Sequence, residues 1–300
     1  MQKIESWLAS KPLRLRRRTL RVLFVLLKTV GYFKPPYEEV VHIAQALNVP
    51  IWKAHAIALE SIFQNLLFSM EWAALAVRSF DDLLKDAKYV SVESMFQFES
   101  CLDSKSLICT TLHSGCYHIA IAYLIKKYFN NRKILIIKNF ALSEQEFQAI
   151  DRFLKLGFDV RVFTNEAKGD FVDMLRCLKE GAVLFMLSDL PRSYGKSTKV
   201  EFLDSYADLA DGIIDLSKIC GAPILFFGVK TNIDGDAIFS DFVLDQLNQK
   251  RSMTRRLMAE KISSVVSKEI RHQPHQWQMW SRIDEYYCID DRDSICLNDV

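Results

Sequence analysis

From Ser91 onward the chain alternates short, uninterrupted apolar runs with stretches whose apolar residues recur every three to four positions, and that rhythm leaves few folds open. The runs Leu107 to Leu112, Lys133 to Ile137, Asp159 to Phe163, Val183 to Leu187, Ile224 to Val229 and Ala237 to Val243 each have the length of one strand. Most lack polar alternation, as strands buried on both faces require. Helical patterns lie between them at Tyr117 to Phe129, Ser143 to Leu156, Gly169 to Lys179 and Asp208 to Cys220, with a last one from Ser252 to Arg271. Gly157, Gly181 and Gly221 stand where three of these helices should end, because glycine accepts the left-handed conformation of a helix C-cap. The order predicts an α/β fold: a mostly parallel central sheet with helices on both faces.

The first part of the chain reads differently. Residues 11–33, KPLRLRRRTLRVLFVLLKTVGYF, form a basic amphipathic helix: at about 100° per residue Arg14, Arg17, Arg18, Arg21 and Lys28 fall on one side. Leu15, Leu20, Val22, Leu23, Leu26, Leu27, Val30 and Phe33 fall on the other, the layout of a helix lying in a membrane interface. The uncharged run between Arg21 and Lys28 is too short to span a bilayer. A surface helix with its arginines in solvent is the plainer alternative. Pro35-Pro36 ends this arm, and Tyr37 to about Lys85 reads as a helical segment. Two units are expected: residues 1–35 as a membrane-associating arm and residues 36–300 as a single α/β domain.

Half of the residues are apolar, and the net charge is only +2, so the chain has material for a large core but no protein-wide nucleic-acid footprint. Seven scattered cysteines without a CxxC pair suggest reduced thiols and a reducing compartment.

The chemistry concentrates at His113, where the run Leu107 to Leu112 stops and a helical pattern starts near Tyr117. In an open α/β sheet that is the crevice where ligands bind. A histidine there can take a proton from an attacking hydroxyl or amine, and the backbone of Ser114, Gly115 and Cys116 can approach a developing oxyanion. His118, five residues on, could reach back to hold the imidazole in one tautomer. A capping or core histidine is the alternative from this stretch alone. No GxGxxG or GxxxxGK[ST] occurs, and the His113/His118 and His272/His275 pairs lack the i, i+4 spacing of a helical metal site. No metal is expected.

The stretch TLHSGCYHIA resembles the catalytic block of the lysophospholipid-acyltransferase-like superfamily, in particular the lipid A late (secondary) acyltransferases, whose block reads roughly HFGNWE after a hydrophobic strand. KILIIKNFALSEQEF is similar to the segment where a strand ends in an arginine, with Lys138 in that place. GAVLFMLSDLPRS resembles the strand ending in a PDQ segment and puts Asp189 in that role. KVEFLDSYADLADGIIDLSKICGAPILFF resembles the block with a phenylalanine-rich turn, a helix and GAP. EIRHQPHQWQMWSRI is similar to the closing PEQW-x-W-x-x-R pattern, with Pro274, Gln276, Trp277, Trp280 and Arg282 in register. The likeness covers about residues 37 to 285. The chain departs from it at His118, which replaces the acidic residue of the HX4(D/E) motif, and at Cys116-Tyr117, which replaces an asparagine-tryptophan pair.

The resemblance implies an acyltransferase, peripheral on the cytoplasmic side of a bacterial inner membrane. It would need no cofactor beyond an acyl thioester on acyl carrier protein or coenzyme A, and would act on a hydroxyl or amine of a lipid-like or carrier-bound acceptor. It implies His113 as general base with His118 as its orienter, and Lys138, Asp189 and Arg192 as substrate-binding residues. Three explanations of His118 stay open: an adequate orienter, a takeover by another carboxylate such as Asp189, or a site that no longer catalyses. Two functional alternatives remain: a carrier-protein-dependent transferase of a specialised pathway and a non-catalytic acyl-chain-binding homologue.

Overall fold

The computed structural model describes residues 2–94, 96–138, 144–155, 158–164, 170–244 and 253–287. Five helices open the chain: α1 (Gln2–Ala9), α2 (Leu13–Thr29), α3 (Tyr37–Leu47), α4 (Ile51–Val77) and α5 (Phe80–Ala87). Then come β1 (Val90–Ser94), α6 (Phe96–Leu102), β2 (Leu107–Thr111), α7 (Tyr117–Tyr128), β3 (Ile134–Lys138), α8 (Glu144–Lys155), β4 (Val160–Thr164), α9 (Asp170–Glu180) and β5 (Val183–Leu187). The rest is the hairpin β6 (Ser197–Phe202) and β7 (Ser205–Ala210), α10 (Gly212–Cys220), β8 (Ile224–Asn232), β9 (Gly235–Leu244) and α11 (Arg255–His272).

Seven strands form one sheet in the order β1-β9-β8-β2-β5-β3-β4, parallel throughout except where β9 turns back antiparallel to β8. The α/β reading therefore holds. All five residues of β2 are buried, because helices cover both faces of the sheet and two core clusters fill the spaces between. Gly181 and Gly221 end their helices with positive φ, as their sequence positions predict; Gly157 lies outside the described residues.

Two local expectations are corrected. The helix expected over Asp208 to Cys220 starts only at Gly212, because Ser205–Ala210 pairs with Ser197–Phe202 as an antiparallel hairpin. The basic stripe of α2 is not a free solvent face. Arg17 is fully buried, and so is its neighbour Arg16. Arg16 donates to Glu71 and Asp86, Arg17 donates to Glu71 and Asp236, and Arg78 pairs with Asp86. Three buried cations thus meet three buried carboxylates, and this neutral cluster ties α2 to α4 and to β9. Arg21 pairs with Glu60 of α4 at 2.6 Å.

With Arg16 and Arg17 turned inward, the exposed surface of α2 keeps Arg14 and Arg18, which face Asp234, in its first half and is largely apolar in its second. Leu15, Val22, Leu26 and Val30 are exposed, Val30 to 77%, and so are the aromatic side chains of Tyr32, Tyr37 and Trp52. No helix among the described residues is long and apolar enough to cross a membrane.

Candidate active site

Strand register builds the site. Thr111 at the end of β2 pairs with Leu187 at the end of β5, and the Ser188 amide donates to the Thr111 carbonyl. His113 and Asp189 therefore stand two residues beyond the last pair of two adjacent strands, at their carboxyl ends. His113 Nδ1 lies 3.0 Å from Asp189 Oδ1, and the His113 amide donates to Oδ2 at 2.9 Å. Trp277 Nε1 donates to the same Oδ2 at 2.8 Å, and the Tyr286 hydroxyl donates to the Asp189 carbonyl. Asp189 is 0% exposed. A carboxylate can only accept, so the Nδ1 contact fixes the hydrogen on Nδ1 and leaves the Nε2 lone pair for a proton.

The segment after α11 locks this geometry. The Gln278 amide donates to the His113 carbonyl at 2.8 Å, and the Gly115 amide donates to the Gln276 carbonyl at 3.1 Å. The Gln276 side chain exchanges two hydrogen bonds with the backbone of Thr231 in β8. Gly115 has φ +57°, and an added Cβ would lie 2.7 Å from Thr231 Oγ1 and 2.9 Å from Gln276 Oε1. Only glycine fits the turn that places His113.

His113, about one-fifth exposed, lines a cavity of about 570 Å³. That lies within the range of roughly 300–1,000 Å³ usual for small-molecule sites. Its walls are mostly apolar, with Ile121 and Ile125 from α7, Ile136 from β3, Phe163 from β4, Met174 from α9 and Phe185 from β5. The polar lining includes His113, Tyr117, His118, Lys138, Glu146, Asp170 and Tyr194, with Lys138 paired to Glu146.

The other expected site residues fall as follows. Asp189 does not face a substrate; it is sealed beneath His113 and spends its oxygens on protein donors. His118 does not hold His113, since among the described residues neither of its ring nitrogens has a hydrogen-bond partner and Asp189 occupies His113 Nδ1. The amides of Gly115 and Cys116 do not point to an oxyanion, because they donate to the Gln276 carbonyl and to Thr231 Oγ1. Cys116 is buried and burial pushes its thiol well up, which excludes a ready nucleophile. Arg192 opens the short turn Arg192–Tyr194 after β5 with its guanidinium 3.9 Å from Asp208; Tyr194 of that turn lines the cavity and Arg192 does not. Gln278, which clamps the His113 turn, escaped sequence reasoning, as did the grip of Trp277 on Asp189; the run of glutamines and tryptophans after α11 was the signal available. Among the described residues, no cluster of histidine, cysteine and carboxylate side chains could hold a metal ion.

A strand-end imidazole backed by a buried carboxylate, opening on a mostly apolar cavity, equips a protein for group transfer from substrates with apolar parts. The comparison with known families carries this further: the family described as bacterial lipid A biosynthesis acyltransferase matches residues 59–282, and the chain belongs to it. It is accordingly an acyltransferase. Among curated proteins, none matches the chain.

Proposed function

We propose that this acyltransferase moves an acyl group from a thioester, on acyl carrier protein or coenzyme A, to a hydroxyl or amine of an amphipathic or carrier-bound acceptor at the inner surface of a bacterial membrane. The observation that carries the reading is the His113–Asp189 pair opening on the apolar cavity. The acyl chain lies in the cavity with its thioester carbon beside His113. Nε2 takes the acceptor's proton as its oxygen or nitrogen attacks the carbonyl. Asp189 keeps the imidazole in the Nδ1–H tautomer and stabilises the imidazolium that forms. As the tetrahedral intermediate collapses, the C–S bond breaks and the imidazolium returns the proton to the leaving thiolate. With Gly115 and Cys116 already engaged, the Ser114 amide is the oxyanion donor. Lys138 and Arg192 bind the polar end of donor or acceptor.

Because Asp189 supplies the charge that His118 lacks, the exchanged motif position is no bar to catalysis. The apolar outward face of α2, with Trp52, Tyr32 and Tyr37 as interfacial aromatics and Lys28, Lys34 and Lys53 near them in sequence, settles into an anionic bilayer surface. The test follows a radiolabelled acyl group from acyl carrier protein or coenzyme A into an inner-membrane lipid extract. His113→Ala should lower transfer by about 10²–10⁴-fold while leaving the folded state intact. Undiminished transfer would remove His113 from the mechanism.

A further inference from the structure

His118 is the second residue of α7, 5% exposed, and forms part of the cavity wall. Its ring stacks on Trp72 at 4.4 Å and meets Phe68 and Tyr117 edge to face. Neither ring nitrogen has a hydrogen-bond partner among the described residues, and both are shielded from solvent. Burial holds its pKa down to about 3, with Glu71 pulling weakly upward and Arg17 downward. The ring is therefore neutral at any working pH and offers one N–H donor and one bare acceptor.

An unpaired buried polar atom is destabilising, and a leucine or phenylalanine would line a hydrocarbon cavity without that cost. A plain hydrocarbon chain leaves both nitrogens as they are. An anion would find no positive charge on this ring. A hydroxyl, which both donates and accepts, pairs with either nitrogen in either tautomer. His113 and His118 both line the same cavity, and Tyr117 meets each of them edge to face at 5.9 Å.

Building on the acyl-cavity reading above, we propose that His118 is a specificity residue that selects donor acyl chains carrying a hydroxyl group. The hydroxyl reaches the ring by parting the aromatic edges of Phe68 and Tyr117, and it supplies the partner that the empty site lacks.

The test needs no acceptor. Lauric acid and β-hydroxylauric acid are titrated into the full-length protein, with calorimetry and the fluorescence of Trp72 as readouts. The hydroxylated acid should bind about tenfold more tightly, the value of one hydrogen bond made in a dry site. His118→Leu and His118→Phe should abolish the preference while binding lauric acid at least as well as the parent, and should unfold at higher denaturant. Should the first fail to fold, the second carries the test. Equal binding of both acids by the parent, or a preference that survives in His118→Leu, overturns the proposal. Ala122→Trp, which fills the cavity beside Ile121, separates the two readings. If both acids bind equally and this variant blocks both, the cavity reading stands and the His118 proposal falls. If neither acid binds the parent, both fall.

Discussion

Asp189→Asn tests the centre of the mechanism, because it preserves shape while changing one acceptor into a donor. In the parent, Oδ2 accepts from the His113 amide at 2.9 Å and from the Trp277 indole at 2.8 Å, while Oδ1 accepts from His113 Nδ1 at 3.0 Å. Asparagine has two ways to sit. With its nitrogen at the Oδ2 position it would face two N–H groups, neither of which can become an acceptor. It therefore places its nitrogen at the Oδ1 position, where the partner is an imidazole that can shift its hydrogen to Nε2. That shift leaves Nε2 without its lone pair, so His113 ceases to be a base. In the serine-protease triad the equivalent change lowers kcat about 10⁴-fold, or roughly 5.5 kcal/mol of barrier. The same order is expected here, with KM changed no more than a few-fold, since Asp189 touches no substrate. Fold stability should fall by only about 1–3 kcal/mol, the scale of a buried group left poorly paired. Steady-state transfer from acyl carrier protein or coenzyme A thioesters gives kcat and KM separately, and ¹⁵N chemical shifts of the imidazole report the tautomer. Turnover within tenfold of the parent, or an unchanged Nδ1–H tautomer, would refute the reasoning.

Two further perturbations probe the scaffold that carries the site. Glu71→Gln removes the central carboxylate of the buried cluster and leaves Arg16 and Arg17 under-compensated. A loss of about 3–5 kcal/mol is expected in urea unfolding, with protease sensitivity appearing first in α2. The same residue sets an acid limit. Burial alone would raise the Glu71 carboxyl, but Arg17 and Arg16 outweigh it and hold the pKa at about 2, against an ordinary 4.5. A depressed carboxylate stabilises the fold fully above its unfolded value and loses that contribution as pH falls from about 4.5 to about 2, here about 3 kcal/mol. Asp236 runs the other way, because burial raises it despite Arg17. Comparing the acid limbs of parent and Glu71→Gln therefore isolates Glu71, whose limb should vanish in the variant. Gly115→Ala forces a side chain into φ +57° against Thr231 and Gln276. It should destabilise by about 2 kcal/mol from the backbone alone and lower kcat by moving His113, both measurable in the same assays.

What the sequence made legible followed from local periodicity, and what it hid depended on partners far along the chain. The run Val183 to Leu187 is β5 residue for residue, because five apolar residues bounded by Gly181 and Ser188 have few other uses. The hairpin β6–β7 was hidden because DLADGIIDL carries a helical spacing that continues into α10, and only Gly212 marks the true start. β1 was equally hidden: it is an edge strand whose partner β9 lies far along the chain. His113 was readable from its place after a strand. Its carboxylate, Asp189, stood in the sequence only as one of three open explanations, through the resemblance to the PDQ segment; spacing could not select it, because β2 and β5 become neighbours only after the chain has passed through β3 and β4. Spacing within one helix pointed to His118, whereas the acceptor for Nδ1 came from the next strand over. The arginines of α2 teach the same point. Helical periodicity assigned Arg17 to a polar face, but whether that face met water or Glu71 and Asp236 depended on residues on α4 and β9. Turning two arginines inward makes the outer face of α2 more apolar than its sequence suggests. It thereby moves the expected source of membrane affinity from arginine charge toward Leu15, Val22, Leu26 and Val30. Binding to vesicles should accordingly survive high salt better than a basic helix would allow, since screening weakens exposed charges and leaves apolar burial in place.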